Sequence, residues 1–289
     1  MPTETVYGLA AAARDESAVA RIFSVKGRPS NHPLIVHIGD PCALERWGRE
    51  VPDSARELAA AFWPGPLTML VWRHPSVLDA VTGGRDTVGL RMPDHPVALE
   101  ILSLFDDGVA APSANRFGAV SPTRAEHVVA DIGAWLDWSR DVVIDGGACA
   151  VGIESTIVDL TTDRPTILRP GAVTAESIEA VVGPVQRTDK GPSRAPGMLA
   201  AHYAPACEVI VATDAADAES LLFERRSAGQ QAEVWSVDDL DAFAHDLYAR
   251  LRDADERGLD TLIVIVPPSE GIGVAIIDRL LRAATGSAR

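Results

Sequence analysis

Val19, Ile22 and Phe23 recur at helical spacing and predict a helix over residues 15–25, ended by Gly27 and Pro29. The β-branched run at 34–38 reads as a strand, and residues 54–63 as a helix stopped by Pro64-Gly65-Pro66. Strands are predicted at 67–72 and 88–92, then a helix at 96–105. Thr123 with Glu126 matches a capping box and predicts a helix reaching about Trp138. Short strands are expected at 142–144, 156–160 and 166–169. Helices and closely spaced strands are intermixed, which implies a mixed α/β sheet rather than a strictly parallel one.

The pattern breaks between residues 183 and 205, where Gly183-Pro184, Gly191-Pro192, Ala195-Pro196-Gly197 and Ala204-Pro205 supply linker chemistry. A regular alternation follows: strand 208–212, helix 217–227, strand 233–237, helix 240–251, strand 262–266 and helix 274–284. This is the pattern of a small three-layer α/β unit. The expected organisation is a first domain over 1–183, a connecting segment over 184–206 and a second domain over 207–289.

A chain of 289 residues with 47% hydrophobic side chains can bury cores of that size. Its net charge of -15 argues against a general nucleic-acid coat or a membrane-surface binder, and leaves room only for a local basic pocket. Cys42, Cys149 and Cys207 have neither disulfide-framework nor zinc-ribbon spacing, which fits a reducing, cytoplasmic setting. No apolar run is long enough to span a membrane. Only Lys26 and Lys190 are lysines in an arginine-rich chain, so Lys26 could mark a place that needs a compact ammonium.

Walker, dinucleotide-fold, HExxH and GxSxG signatures are absent, and Gly271-x-Gly273 reads as the start of a helix. Four clusters remain. Pro2-Thr3-Glu4-Thr5-Val6-Tyr7-Gly8 groups two hydroxyls with a carboxylate. Lys26-Gly27-Arg28-Pro29, with His32 behind, could clamp phosphates. Ala111-Pro112-Ser113-Ala114-Asn115-Arg116, reaching Ser121, offers small residues and hydrogen bonds. Gly152-Ile153-Glu154-Ser155-Thr156 is followed by Arg169-Pro170-Gly171. Each alone also fits a turn, a solvated helix end or a plain loop. The residues by themselves imply no more than a non-Walker anion pocket.

In order, PTETVYGL, KGRPSNHPLIVHI, WPGPLTML, TVGLRMPDHP, APSANRFGAVSPT, GIESTIVDL, ILRPGAV and APGMLAAHYAP closely resemble the YrdC-like threonylcarbamoyl-AMP synthases in their long, two-domain form. The resemblance covers nearly the whole chain and implies a YrdC-like mixed twisted sheet with helices, plus a small C-terminal Rossmann-like domain. It implies the joining of L-threonine, bicarbonate and ATP into threonylcarbamoyl-adenylate with release of pyrophosphate. A tRNA threonylcarbamoyltransferase would receive the product.

Matched motif by motif, the threonine pocket would comprise Thr5, His37, Arg91, Ala111 and Ser155. ATP would meet Lys26, Arg28, His32, Thr87, Ser113, Asn115, Ser121, Arg169 and Tyr203, with Lys26, Arg28, Ser113 and Asn115 as the catalytic signature. Magnesium would be held mainly through the phosphates, with no metal site of the protein's own. His202-Tyr203 and the connecting segment would act as a lid. His32 stands where many relatives have Asn. Relatives also have a helix and a strand before PTETVYGL, so the first domain is expected to be N-terminally truncated. That would leave an unpaired sheet edge and Thr5 on a frayed terminus. The alternatives are a double-stranded RNA or tRNA binder and a YrdC-type carbamoyltransferase. The acidic charge leaves at most a weak RNA contact, and the catalytic modules and zinc fingers joined to such carbamoyltransferases are absent.

Overall fold

The computed structural model describes residues 1–188 and 202–288. Its strands are β1 (Ala11–Ala12), β2 (Ile35–His37), β3 (Leu67–Trp72), β4 (Thr87–Arg91), β5 (Val109–Ala110), β6 (Thr156–Asp159), β7 (Thr166–Arg169) and β8 (Gln186–Arg187), then β9 (Glu208–Ala212), β10 (Ala232–Trp235) and β11 (Thr261–Ile265). Helices over the first half are α1 (Glu16–Lys26), α2 (Leu44–Trp47), α3 (Asp53–Phe62), α4 (Asp79–Thr82), α5 (Pro96–Phe105), α6 (Ala125–Ile132) and α7 (Ala175–Val182). Those of the second are α8 (Ala215–Ser227), α9 (Leu240–Glu256) and α10 (Gly273–Ser287).

The expected mixed sheet is present, with strand order β1-β5-β2-β4-β3-β6-β7-β8. Parallel pairs β2/β4, β3/β6 and β7/β8 alternate with antiparallel ones. Period-two alternation divides its residues between two faces. Val36, Met69, Val71, Val158 and Ile167 pack with Val19 and Ile22 of α1, Leu58 of α3 and Ile178 of α7. Ile35, Leu70, Ile157 and Leu168 form a smaller cluster of their own, and Ile35 lines the cleft described below.

In the second half, β10-β11-β9 make a parallel sheet. Ile263 packs with Ala218 and Leu221 of α8, whereas Leu262 and Val264 pack with Phe243 and Leu247 of α9 and Ile276 of α10. Successive residues of one strand thus face opposite helical layers. Val6, Val120 and Ile153 of the first half belong to that latter core, so the two halves are packed together rather than strung on a tether. The predicted connecting segment is only partly loop. Gln186–Arg187 join the large sheet as β8, and Ala204 pairs with Ala119. Residues 189–201, which include Lys190 and the Gly191-Pro192 and Ala195-Pro196-Gly197 stretches, lie outside the described residues.

Three local expectations are corrected. Residues 142–144 form no strand; no neighbouring strand pairs with them and Val142 is 74% exposed. Thr123 does not cap α6, because it is buried and its N–H donates to His127 Nδ1 at 3.2 Å; Arg124 occupies the cap without a side-chain bond. That helix stops at Ile132 rather than near Trp138. Trp135 and Trp138 are 48% and 57% exposed, so no buried stripe continues it.

Candidate active site

The large sheet presents one end where β2, β4 and β7 finish and β6 begins. His37, Arg91 and Arg169 are the last residues of those three strands, and Ser155 immediately precedes β6. Ala111 lies just beyond β5, its N–H bonded to Ile35 carbonyl oxygen at 3.0 Å. Helix α1 delivers the cationic pair. Asp15 caps its start by accepting from Ser17 N and Ala18 N, and Gly27 ends it in the left-handed region at φ 62°. A Cβ at Gly27 would also meet the Arg116 guanidinium at 2.5 Å, which a side chain there would have to displace. Lys26, the last helical residue, and Arg28, just past the turn, therefore point into the same region.

One cleft is lined by Thr5, Arg28, His37, Arg91, Ala111, Ser113, Ser155, Arg169 and Tyr203 together with His202 and Glu154. All five residues matched to threonine and four of the nine matched to ATP thus share a single wall. Lys26, His32, Asn115 and Ser121 stand around it, and Thr87 does not line it. Lys26 Nζ donates to Asn115 carbonyl oxygen at 2.6 Å and to Ser113 carbonyl oxygen at 2.5 Å, so here it braces the loop that presents Ser113. His32 meets the Phe117 ring at 5.4 Å, edge to face. Ser121 donates to Glu154 at 2.6 Å. Thr87 begins β4, four residues from Arg91 and so about 13 Å along the strand. The β2/β4 register of Ile35 with Gly89, continued toward the strand starts, brings it level with Pro33.

Thr5 is not frayed. It is fully buried, accepts from Arg91 Nη1 at 2.8 Å, and sits in a turn held by Thr3 Oγ1, which accepts from Thr5 N and Val6 N. Arg91 also donates to Gly65 carbonyl oxygen at 3.2 Å, and Glu4 faces it at 2.6 Å. Arg169 holds Ser155 twice, from Nε to the carbonyl at 3.0 Å and from Nη2 to Oγ at 3.1 Å; Thr68 Oγ1 is 2.7 Å from that same Oγ.

Burial, then the Arg91 charge, depresses the His37 imidazole to about 3, and burial likewise depresses His202 to about 3. Both are neutral hydrogen-bonding groups at physiological pH. Burial also lowers Arg28 to about 10, which leaves it a cation. Among the described residues, His37 Nδ1, His202 Nδ1 and Arg28 Nε are buried without a hydrogen-bond partner. Three such atoms on one cleft form a set that a polar ligand would complete. No group of three or more His, Cys, Asp or Glu side chains among the described residues could hold a metal ion.

The motifs left several participants unassigned. Glu4, Phe117 and Glu154 lie inside matched motifs but received no role. Tyr248 and Arg279 come from helices of the second half; Arg279 lies in GIGVAIIDRLLRAA, a stretch that shares the family resemblance, without having received a role, and no motif marks Tyr248. The usable signal for Arg279 was a lone arginine on the apolar face of Ile276, Leu280 and Ala283.

Residues 1–171 match a family model described as Telomere recombination, and residues 173–285 match the Threonylcarbamoyl-AMP synthase, C-terminal domain. The threonylcarbamoyl-AMP synthase of Bacillus subtilis is 41% identical over 311 residues, covering 99% of this chain and 88% of that protein. Its Pyrococcus abyssi counterpart is 39% identical over 305 residues, covering 98% and 88%. A crystal structure of P. abyssi Sua5 complexed with L-threonine superposes with a TM-score of 0.93 at 39% identity, covering 99% of this chain and 90% of that one. With the family matched in both halves, the chain belongs to the YrdC-like threonylcarbamoyl-AMP synthases, nucleotidyltransferases that form threonylcarbamoyl-AMP for tRNA threonylcarbamoyladenosine synthesis.

Proposed function

We propose that this chain binds L-threonine on Thr5, His37, Arg91, Ala111 and Ser155. ATP would lie along Lys26, Arg28, His32, Thr87, Ser113, Asn115, Ser121, Arg169 and Tyr203. The observation that supports this reading best is the convergence of Arg28, Arg91 and Arg169 on one cleft that also holds three unpartnered buried polar atoms. Such a wall suits an anionic, hydrogen-bonding occupant. Residues 1–183, with β8 added at the sheet edge, would form the catalytic domain and 207–289 the second domain, joined by the segment between them.

Threonine's carboxylate would take the Arg91 fork beside Glu4, with its hydroxyl and amine among Thr5, His37 and Ser155. Its amine takes up CO2, supplied as such or from bicarbonate, and gives a carbamate. A carbamate oxygen attacks the α-phosphorus of ATP, the bond to the β-phosphate bridging oxygen breaks, and pyrophosphate leaves with that electron pair. Such a transfer calls chiefly for alignment and charge neutralisation. Arg28 and Arg169 supply fixed positive charge, while Lys26 holds the Ser113–Asn115 backbone in place. Tyr203, buried against the cleft, excludes the water that would decompose the carbamate. Magnesium accompanying ATP would be held through the phosphates, and the protein offers no cage for it among the described residues. The product would pass to a tRNA threonylcarbamoyltransferase in the cytoplasm, with at most weak RNA contact by the synthase itself. Among the described residues no helix is long and apolar enough to cross a membrane.

The test is pyrophosphate release that requires threonine, bicarbonate and ATP together. Arg28→Ala should lower it at least about tenfold through lost phosphate contacts, with some drop in melting temperature because Arg28 also donates to the buried Pro33 carbonyl oxygen at 3.0 Å. An Arg28→Ala enzyme with full turnover would reject the ATP assignment.

A further inference from the structure

Part of the cleft's wall is held by the second half of the chain. Glu154, one residue before Ser155, accepts from Ser121 Oγ at 2.6 Å through Oε1. Its Oε2 accepts from the Tyr248 hydroxyl at 2.6 Å and from Arg279 Nε at 3.0 Å. Tyr248 stands on α9 and Arg279 on α10, and neither has solvent-exposed surface. Arg279 also donates through Nη2 to Pro170 carbonyl oxygen at 3.0 Å, and its guanidinium lies 5.6 Å from the Tyr203 ring. Asp278 neutralises it from the other side at 2.5 Å.

One arginine thereby joins three separate pieces of the cleft: the 152–155 loop, the 169–171 turn and Tyr203. Each contains a residue assigned above to substrate. The packing at this junction is close. A Cβ on Gly152 would lie 2.4 Å from His245 carbonyl oxygen on α9, and one on Gly171 would lie 2.4 Å from Thr156 N. Displacing Glu154 moves Ser155, and with it the hydroxyl that Arg169 and Thr68 hold. A junction needed only for adhesion would be satisfied by apolar side chains, because burying a carboxylate and a guanidinium carries a desolvation penalty.

We propose that Arg279 and Tyr248 are positioning residues for the synthase reaction. Acting through Glu154, they set Ser155 against threonine, and through Pro170 and Tyr203 Arg279 also steadies the ATP side of the same cleft, so that the second half of the chain completes the site. This rests on the threonine assignment made above. Mere adhesion and positioning differ in what they move. Adhesion moves the melting temperature alone; positioning moves KM as well, the threonine KM ahead of the ATP KM when only the Tyr248 bond to Glu154 is lost, and both together when Arg279 is lost.

The experiment uses the full-length protein with Tyr248→Phe, Arg279→Lys, Arg279→Met and Ser155→Ala. Pyrophosphate release is measured with threonine and ATP varied separately, beside thermal unfolding of each variant. Tyr248→Phe keeps the ring and loses one bond to a charged acceptor, so the threonine KM should rise about tenfold. The ATP KM should stay within about twofold. Arg279→Met should raise the threonine KM further and the ATP KM with it, since the Pro170 and Tyr203 contacts are lost too, and Arg279→Lys should recover part of the threonine loss because an ammonium still meets Glu154. Parent-like constants in Tyr248→Phe and Arg279→Lys, at any melting temperature, would overturn the proposal, as would equal rises in both KM values of Tyr248→Phe. If Ser155→Ala raises the threonine KM while Tyr248→Phe does not, only the positioning role falls. If Ser155→Ala leaves it unmoved, the pocket assignment falls and this inference with it.

Discussion

Lys26 Nζ lies 2.6 Å from the carbonyl oxygen of Asn115, 89 residues away in sequence, with both residues out of solvent. The helix end is thereby tied to the loop that presents Ser113. Lys26→Met should leave two buried carbonyls short of a donor, a loss of about 1–3 kcal/mol each. A several-degree drop in melting temperature should accompany the loss of pyrophosphate release. Unchanged stability with lost turnover would mean that Lys26 serves ATP alone.

Arg91 is held on three sides, by Thr5, Gly65 and Glu4. Removing it strands the Glu4 carboxylate, so Arg91→Ala should destabilise the fold by about 3–5 kcal/mol. Arg91→Lys retains the charge and loses the planar fork. That variant should fold, raise the threonine KM at least about tenfold and leave the ATP KM nearly unmoved. Equal shifts in both constants would reject the threonine assignment.

Acid should weaken this protein before its carboxylates titrate. His37 and His202 are each depressed to about 3 from the ordinary 6.5, chiefly by burial. Between those values the unfolded chain binds more protons than the folded one, so stability falls as pH falls from 6.5 toward 3. The slope is about 1.4 kcal/mol per pH unit for each such histidine. His202→Phe should flatten the dependence of melting temperature on pH between 6.5 and 4. A slope equal to the parent's would show that His202 is free to protonate in the fold.

Gly152 has φ 83°, and a Cβ there would lie 2.6 Å from His245 Cα as well as 2.4 Å from its carbonyl oxygen. Because the obstruction is helix backbone, relief requires the two halves to part. Gly152→Ala should lower the melting temperature markedly, with about 1–3 kcal/mol from the backbone conformation alone. It should also expose the core shared by Val6, Ile153 and Tyr248 to a hydrophobic dye. An unshifted melting curve would show that the junction yields.

The ordered motifs were enough to bring Thr5, Arg28, Arg91, Ser155 and Arg169 together on paper, and the sheet places them on one cleft. A strand buried on both faces was equally legible as a nearly continuous apolar run, as at Leu67–Trp72. It failed at 142–144, where β-branched residues have no partner strand, because propensity creates a strand only where a neighbour completes its hydrogen bonds. The capping box at Thr123 failed for a related reason: a buried histidine four residues on took the N–H that begins the motif's loop.

What the sequence determined by itself is therefore local or linear: helix α1 with its Asp15 cap and Gly27 stop, the alternating second half, and the family chemistry of the motifs. The tertiary structure alone decided which charges meet. Arg279 reads as one more arginine of an amphipathic helix, and Glu154 as one letter of a motif. Their 3.0 Å contact exists because α10 meets the loop that leads into β6, 125 positions earlier in the chain. Side-chain periodicity reports burial within one element; the partner across an interface depends on how two elements cross, and no spacing along a single chain encodes that distance.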